Sequence, residues 1–537
     1  MHTEIYLDVN ATSATMAAAI AAAEDAMRAL YGNPSSSHAA GLKAKAMLDA
    51  VRARARRLLG VGAGRLVFTS GATEGIQTAV LSALCAVRAR QQNGEAVGQL
   101  LLYGATEHKA VPQALAHWNR LLGTGLELQA LAVDCDGRHR LELLRQFAPR
   151  AALVCTMAAN NETGVVSDLA AIEAVLAACA PASLWLVDSV QALGKLRLDL
   201  AATRIDYAPF SGHKLYAPKG VGMLYVRAGA PYTALMAGGG QEDGQRAGTE
   251  NMAGIAALGA VLAALDDDAL FPAHAQSALL RERLAQALRQ AFPGVVFNMP
   301  FAHSLPTTLN FSVPGITSGD LLDLFDAAGV RVSAGSACSA SAPAPSYVLD
   351  AMGLPPWRCG AAVRMSFGPL ADDDFIAAAC ARIAHCGAAL HADRLLPSAT
   401  VDADAAHWLP AAVPPLDGMA AAVLQRLDGR APAHDAALEI LPAALEAFLL
   451  SHPDARLIDV REAFEHRAGG APAWHGHAAE NVPLSRLSHR IAEWLCGAPC
   501  PLVFLCRSGK RSVKAAQWLH RLGHRNAWHI AGGLALR

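Results

Sequence analysis

Several features are missing from this chain of 537 residues, and each absence removes a class of function. There is no excess of charge of one sign: 45 Lys and Arg stand against 46 Asp and Glu, a formal net charge of −1. No global field therefore favours nucleic acid or an anionic membrane surface. There is no apolar run long enough to span a bilayer. The longest smooth one, MAGIAALGAVLAAL over residues 252–265, ends in DDD and falls short of the roughly 20 residues a spanning helix needs. The N-terminus, MHTEIYLDVN, lacks the basic start and apolar core of a secretory signal, so a cytoplasmic location is expected. In that reducing compartment the eleven scattered cysteines are expected as free thiols. Cys496, Cys500 and Cys506 have spacings of four and six with no clear fourth ligand, and His475 and His477 in WHGH form only a weak pair, so no metal is expected. Solenoid-type repeats are absent as well.

What is present is an alternation of short apolar runs and helical patterns. RLVFT, QLLLY, AALVCT, SLWLV, DYAPF and VGMLYV occur between about residues 60 and 230, which predicts an α/β fold with a mainly parallel sheet. Each of the first five is followed by a polar or Gly-rich stretch: SGATEG, GATEHK, ANNETG, DSVQ and SGHK. In open α/β sheets ligands bind beyond the carboxyl ends of the strands, so these five should converge on one site. From about 259 to 390 longer helices alternate with fewer strands, including TTLNFSV and AAVRMSFG, as in a smaller α/β subdomain. Residues 391–434 are rich in Ala, Pro and Asp and read as a linker. A third unit follows over 435–537, with helices around LPAALEAFLL, IAEWL and Ser512–Leu522 and strands RLIDV and PLVFLC.

The chemistry-bearing residues fall in those loops. SGATEG places small residues and the hydroxyl of Thr73 where a strand hands over to a helix, whose N-terminus favours phosphate. Lys214 follows Ser211 and His213 at another strand end. Asp188 can pair with a ring N–H, Gln191 can reach the same ring, and His108 can stack on its face. Each has a plain alternative: Asp188 as a helix cap, Gln191 as a surface residue, His108 as a loop histidine, Lys214 as a solvated lysine. Taken together, phosphate site, amine, carboxylate and imidazole describe a pyridoxal phosphate pocket. A different puzzle is VSAGSACSAS, residues 332–341, where Cys338 lacks the larger apolar neighbours that normally pack around a buried sulfur.

Over residues 1–390 the motifs YLDVNAT, GNPSSSH, FTSGATEG, TEHKAV, NNETGVV, VDSVQALGK, SGHK, GGGQE with GTEN, and SFGP make the chain resemble the cysteine desulfurases of the class V aminotransferase superfamily. The resemblance implies a fold-type I pyridoxal phosphate enzyme, with a large cofactor domain over about 15–258 and a small subdomain over 259–390 joined by the N-terminus. It implies that Lys214 carries the cofactor as a Schiff base, that Asp188 holds the pyridinium nitrogen, and that Gln191 contacts the ring oxygen. Thr73, Ser211 and His213 would hold the phosphate, with Thr249 supplied by the second subunit of a homodimer, while Asn161 and Arg364 would grip the carboxylate of L-cysteine. Cys338 would take the sulfur as a persulfide, in a loop soft enough to carry it away. Three departures from similar proteins are Asp243 where Arg is frequent, Ala217 for the Gly after SGHKLY, and Ser13–Ala14 for Thr-Pro.

Residues 506–512, CRSGKRS, follow a strand and open a helix, where a thiolate gains from the N-terminus and from an anion nest. Six basic residues and no acidic one lie between 506 and 525, so a basic helix face or tRNA contact competes with a reactive site. With LIDVREAFEH, NVPLSRL and HIAGGL, residues 435–537 resemble a rhodanese domain, with a shortened GHAAE turn and a chain end at Arg537. Cys506 and Arg511 are separated by four residues, one fewer than in phosphatases of the related fold, and the loop Arg507, Ser508, Gly509, Lys510 and Arg511 is then expected to stabilise a persulfide on Cys506. The expected function is a fused enzyme that converts L-cysteine to L-alanine with sulfur on Cys338, relays it to Cys506, and delivers it to an acceptor protein or sulfur-modification enzyme, for example in iron–sulfur cluster assembly. A flexible linker would reach roughly 35 to 40 Å and hold the two thiols at an effective concentration of about millimolar order. The alternatives are a C-terminal docking module without catalysis, and another class V lyase or aminotransferase.

Overall fold

Strands buried on both faces must be apolar throughout, and the runs found in the sequence form such strands in the computed structural model, which describes residues 4–266, 274–335, 345–392, 438–474, 476–496 and 500–536. Together with one further edge strand, the third in chain order, they make up β1 (Arg65–Thr69), β2 (Leu100–Gly104), β3 (Glu127–Leu131), β4 (Ala151–Met157), β5 (Leu184–Asp188), β6 (Tyr207–Ser211) and β7 (Gly222–Val226). The sheet order is β1-β7-β6-β5-β4-β2-β3. β7 runs antiparallel to both neighbours, and the other pairings are parallel. Alternate side chains serve two cores. Leu100, Leu102, Val154, Trp185 and Val187 face one, with the helix Met252–Asp266. Leu101, Leu153, Cys155 and Leu186 face the other, with α1 (Ala72–Gln92). The apolar run over 252–265 is thus a core helix, and among the described residues no helix is long and apolar enough to cross a membrane.

β3 is not legible as a strand in the sequence. Its ELQAL is rich in residues that strands disfavour, and it sits at the sheet edge, where pairing with β2 imposes the conformation.

The small subdomain carries an antiparallel sheet of β8 (Val296–Phe297), β9 (Thr308–Ser312), β10 (Ser333–Ala334) and β11 (Ala362–Ser366), ordered β10-β11-β9-β8. It is covered by α2 (Ser318–Ala327) and α3 (Asp373–His391). The N-terminal segment joins it: Ile5–Tyr6 pairs with Val330–Arg331, and Asp8 bridges to Ser366.

In the C-terminal unit β12 (Glu439–Ile440), β13 (Arg456–Asp459), β14 (Glu480–Asn481), β15 (Leu502–Leu505) and β16 (Ala527–Ile530) form a parallel sheet ordered β12-β16-β15-β13-β14. A helix the sequence did not reveal, α4 (Ala463–Gly469), starts at a capping box between Glu462 and Glu465. A Glu in place of the usual Ser or Thr hides that signal. α5 (Lys510–Arg521) follows β15. Phe464 and Ala468 of α4 pack into the core of the small subdomain, so the C-terminal unit sits against α2 and α3. The candidate linker lies almost wholly within 393–437, outside the described residues, as does His475.

Buried His139 sits at the carboxyl end of β2, where a Cβ at Gly104 would lie 2.5 Å from its Nε2, with Nδ1 3.4 Å from the Ser167 hydroxyl. Burial pushes its pKa down to about 4, so the folded chain holds it neutral where the unfolded chain takes up a proton. Its contribution to stability therefore falls as pH drops below about 6.5. Between pH 7 and pH 5 the loss from this one group is about 2 kcal/mol. In denaturant titrations of wild type and His139→Gln, the stability difference should shift by that amount in favour of the variant; an unchanged difference would show that His139 is not held neutral.

Candidate active site

All five loops named from the sequence meet at the carboxyl ends of β1, β2, β4, β5 and β6, around a cavity of about 430 Å³. The small subdomain closes it with Tyr347 and Arg364, and the N-terminal segment with Asn10 and Ala11. At one end Ser70–Thr73 lead into the N-terminus of α1, facing Ser211 and His213. This turn needs space that only glycine leaves. A Cβ at Gly222 would lie 2.5 Å from the Phe210 carbonyl oxygen and 2.7 Å from Gly71 Cα. His213 is held neutral, its pKa lowered to about 4 by burial and by Lys214, and its Nδ1 lies 3.1 Å from the Thr12 hydroxyl.

Lys214 ends a single turn after β6. Its Nζ donates to the carbonyls of Asn10 and Ala11, each at 2.6 Å. The chain leaves this turn through Tyr216, which has φ 59, a left-handed conformation that is costly for an aromatic residue. Tyr216 is pinned by the Ser13 hydroxyl, which accepts from its N–H at 2.6 Å while donating to the His213 carbonyl. Ser13, one of the departures from similar proteins, therefore supports the lysine turn directly.

Asp188 ends β5, almost fully buried, and accepts from the Val190 N–H at 3.0 Å. Burial raises its pKa, and His108 and Lys214 oppose the rise. Burial lowers that of His108, with Asp188 opposing and Lys214 adding to the fall. His108 Nδ1 accepts from the Ala110 N–H at 3.2 Å, which leaves the proton of the neutral ring on Nε2.

Lys195, the last residue of VDSVQALGK, has no role that the sequence reveals. It is buried, its pKa brought to about 7 by burial and by the nearby Lys214 and Arg364. It donates to Gln191 Oε1 at 2.6 Å and to Asn10 Oδ1 at 3.1 Å. Gln191 is thereby fixed with its NH₂ outward from Lys195, bonded to the Asn10 carbonyl at 3.2 Å. Nothing in the local sequence marks this, because the partners are up to 185 positions apart.

Arg364, on β11, is 2% exposed. Its Nη1 donates to the Asn161 carbonyl at 2.9 Å, and its Nη2 to Asp8 Oδ1 at 2.6 Å and the Ser333 hydroxyl at 3.1 Å. Arg364 Nε and Asn161 Oδ1 are buried without a hydrogen-bond partner. Glu162, not foreseen, lines the same wall. Burial raises its pKa, and its Oε2 accepts from the Ser346 hydroxyl at 2.6 Å. A Cβ at Gly335 would lie 2.6 Å from that oxygen. Cys338 itself lies in 336–344, outside the described residues. Thr249 is exposed and is not among the residues around the cavity.

The donor set fits pyridoxal phosphate. A helix N-terminus and hydroxyls stand at one end, a buried carboxylate at the base, an amine between them, and Arg364 Nε, a donor without a partner, at the far side for a carboxylate.

In the C-terminal unit Cys506 follows β15, fully buried, with Sγ 3.6 Å from the Ser512 hydroxyl. Gly509 has φ 86 and opens α5. The AGGL turn closes the loop from the side: the N–H groups of Leu534 and Ala535 donate to the Cys506 and Arg507 carbonyls, each at 2.9 Å. A Cβ at Gly533 would lie 2.2 Å from the Cys506 oxygen. The two arginines expected to serve the sulfur are both engaged by carboxylates. Arg511 pairs with Glu465 at 2.6 and 2.8 Å, and Arg507 with Asp323 at 2.7 Å. Ser508 and Lys510 are exposed. Among the described residues no group of His, Cys, Asp or Glu could hold a metal ion.

The Aminotransferase class-V family model matches residues 5–377, and the Rhodanese-like domain model residues 442–536. A cysteine desulfurase of Gluconacetobacter diazotrophicus is 37% identical over 365 residues, covering 68% of this chain and 88% of that protein. One of Bradyrhizobium diazoefficiens is 37% identical over 364 residues, covering 67% and 89%. Among solved structures a NifS-like protein aligns with a TM-score of 0.63 at 29% identity, over 71% of this chain and 98% of that one.

If the approach of β7 to the SGATEG turn shapes the phosphate end, Gly222→Val should weaken retention of pyridoxal phosphate about tenfold or more, about 1.4 kcal/mol. Cofactor content after dialysis against increasing dilution measures this; unchanged retention with the fold intact would detach Gly222 from the site.

Proposed function

The chain belongs to the class-V aminotransferase family and carries a rhodanese-like domain behind it, and from that premise we propose a sulfur-mobilising protein with two carriers, Cys338 and Cys506. The first part is a pyridoxal phosphate-dependent cysteine desulfurase. The observation that carries the reading is the meeting of Lys214, Asp188 and Arg364 in one cavity, at whose wall the segment bearing Cys338 begins, three residues before it, at Gly335. We assign the desulfurase to residues 1–390 and the rhodanese domain to 435–537, in a cytoplasmic homodimer.

When bound, pyridoxal phosphate supplies the electron sink that lets the α-proton of cysteine depart. This chain's residues do the rest. Thr73, Ser211 and His213, with Thr249 of a second subunit, bind the phosphate. Asp188, as a carboxylate, accepts the ring N–H, whose positive character offsets the burial that raises its pKa. Gln191, held by Lys195, would donate to the ring oxygen, and neutral His108 would lie against the ring. Arg364 and Asn161 orient the carboxylate of L-cysteine, and the guanidinium fork suits that task. Lys214 would hold the cofactor, and its amine would move the α-proton.

Cys338, as a thiolate, attacks the substrate sulfur. The S–S bond forms as the C–S bond breaks, and L-cysteine plus the Cys338 thiol become L-alanine plus a persulfide on Cys338. A Cys506 thiolate then takes the terminal sulfur, regenerating the Cys338 thiol, and passes it to an acceptor protein or sulfur-modification enzyme. One observation favours a second reading of the C-terminal unit as a docking module: Cys506 is fully buried and its arginines are engaged.

Lys214→Ala should lose the visible absorption band of the bound cofactor and lower alanine formation by roughly 10² to 10⁴ or more. Cys338→Ala should keep the band and lose alanine and sulfide formation. Near-normal desulfuration by the Cys338 variant would favour a lyase. Cys506→Ser should leave alanine production with a small-thiol reductant unchanged, since the first site is complete without it.

A further inference from the structure

The face of α2 opposite its core residues Leu321, Leu324 and Phe325 carries Asp320, Asp323 and Asp326, spaced to lie on one side of the helix. The last two meet the Cys506 loop. Arg507 Nη1 lies 2.7 Å from Asp323 Oδ1, and its Nε 2.7 Å from Asp326 Oδ2. Arg511 Nη2 lies 3.3 Å from Asp323 Oδ2, and the same guanidinium holds Glu465, which is 1% exposed. Asp323 thus bridges both arginines of the loop. Beside this ion cluster the contact is apolar: Phe464 and Ala468 of α4 are buried in the small subdomain's core. His385 Nε2 lies 3.1 Å from the Ala468 carbonyl, and a Cβ at Gly469 would lie 2.9 Å from the Ala327 oxygen.

We propose that the acidic face of α2 is the docking surface for the C-terminal domain's own reactive loop, and that it closes this loop at rest. The carboxylates of Asp323 and Asp326 occupy the arginines that an anionic sulfur group would otherwise attract, and Cys506 is fully buried in this arrangement. Cys506 packs in the core of its own domain, so sulfur exchange there requires the loop to open, and its arginines are freed for an anionic sulfur group only when the loop leaves α2. The ion pairs are partly exposed, so salt weakens them, whereas the α4 contact is apolar and resists it. The inference rests on reading Cys506 as a sulfur carrier, but closure of the loop is measurable whether or not sulfur moves.

The test uses the full-length holoenzyme and the doubly substituted Asp323→Asn, Asp326→Asn chain, neither position belonging to the desulfurase site. The alkylation rate of Cys506 by iodoacetamide is read by peptide mass spectrometry, and the radius of gyration by small-angle scattering. Neutralising the two carboxylates should raise the Cys506 rate at least tenfold at low salt and enlarge the particle, with alanine production in a small-thiol reductant unchanged. Wild type should approach the variant's rate as salt rises toward 1 M. Ala468→Lys, which places a charge in the apolar half of the contact, should have the same effect independently. Cys506 rates within twofold of wild type in both variants would overturn the proposal. A persulfide that never reaches Cys506 in variants that do open would sink the relay and leave the docking surface standing.

Discussion

Two hydrogen bonds from Lys214 Nζ to the carbonyls of Asn10 and Ala11 are the constraint on which the arrangement of the site depends. The segment that offers those carbonyls is anchored on both sides. Ile5–Tyr6 adds a strand to the small subdomain, Asp8 holds Arg364, and the Asn10 side chain donates to Thr308 Oγ1 and to the Asn161 carbonyl. On the large-domain side Ser13 grips the turn around His213 and Tyr216. A single strap thus fixes the amine of Lys214 and the guanidinium of Arg364 relative to one another. Its loss would disturb both subdomains' contributions at once, since catalysis depends on positions held to fractions of an ångström.

The same strap explains the charge of the site. Lys214, Lys195 and Arg364 converge around Asn10, and Asp8, Asp188 and Glu162 are carboxylates of the same walls. Burial brings Lys195 to about 7, and the other two cations add to the fall. The cations gathered at this cleft attract an anionic cofactor and a carboxylate substrate before any specific contact forms. The C-terminal domain shows the opposite balance. Its loop arginines are already answered by Asp323, Asp326 and Glu465 of the same chain.

The strands and loops of the cofactor cleft were legible because strands buried on two faces are written as continuous apolar runs, and each carries its polar loop immediately after it. Legibility failed where the determinant is distant. Lys195 reads as an ordinary lysine until Asn10 is brought to it, and β3 reads as a loop until β2 pairs with it. The Arg507–Asp323 pair spans 184 positions. No local pattern reveals that a basic loop read as a persulfide cradle faces an acidic helix of the same chain. Cys338 was legible only through its motif and its soft surroundings, and the segment around it lies outside the described residues.

The most direct test of a sulfur path through both thiols is a single-turnover experiment in which the full chain receives one equivalent of L-cysteine labelled with heavy sulfur. Persulfide positions are followed in time by peptide mass spectrometry over a range of protein concentrations. The account predicts label on Cys338 first and then on Cys506, the second step proceeding at a rate independent of dilution because both thiols belong to one molecule. Full labelling of Cys338 with none on Cys506, at any salt concentration, would contradict it.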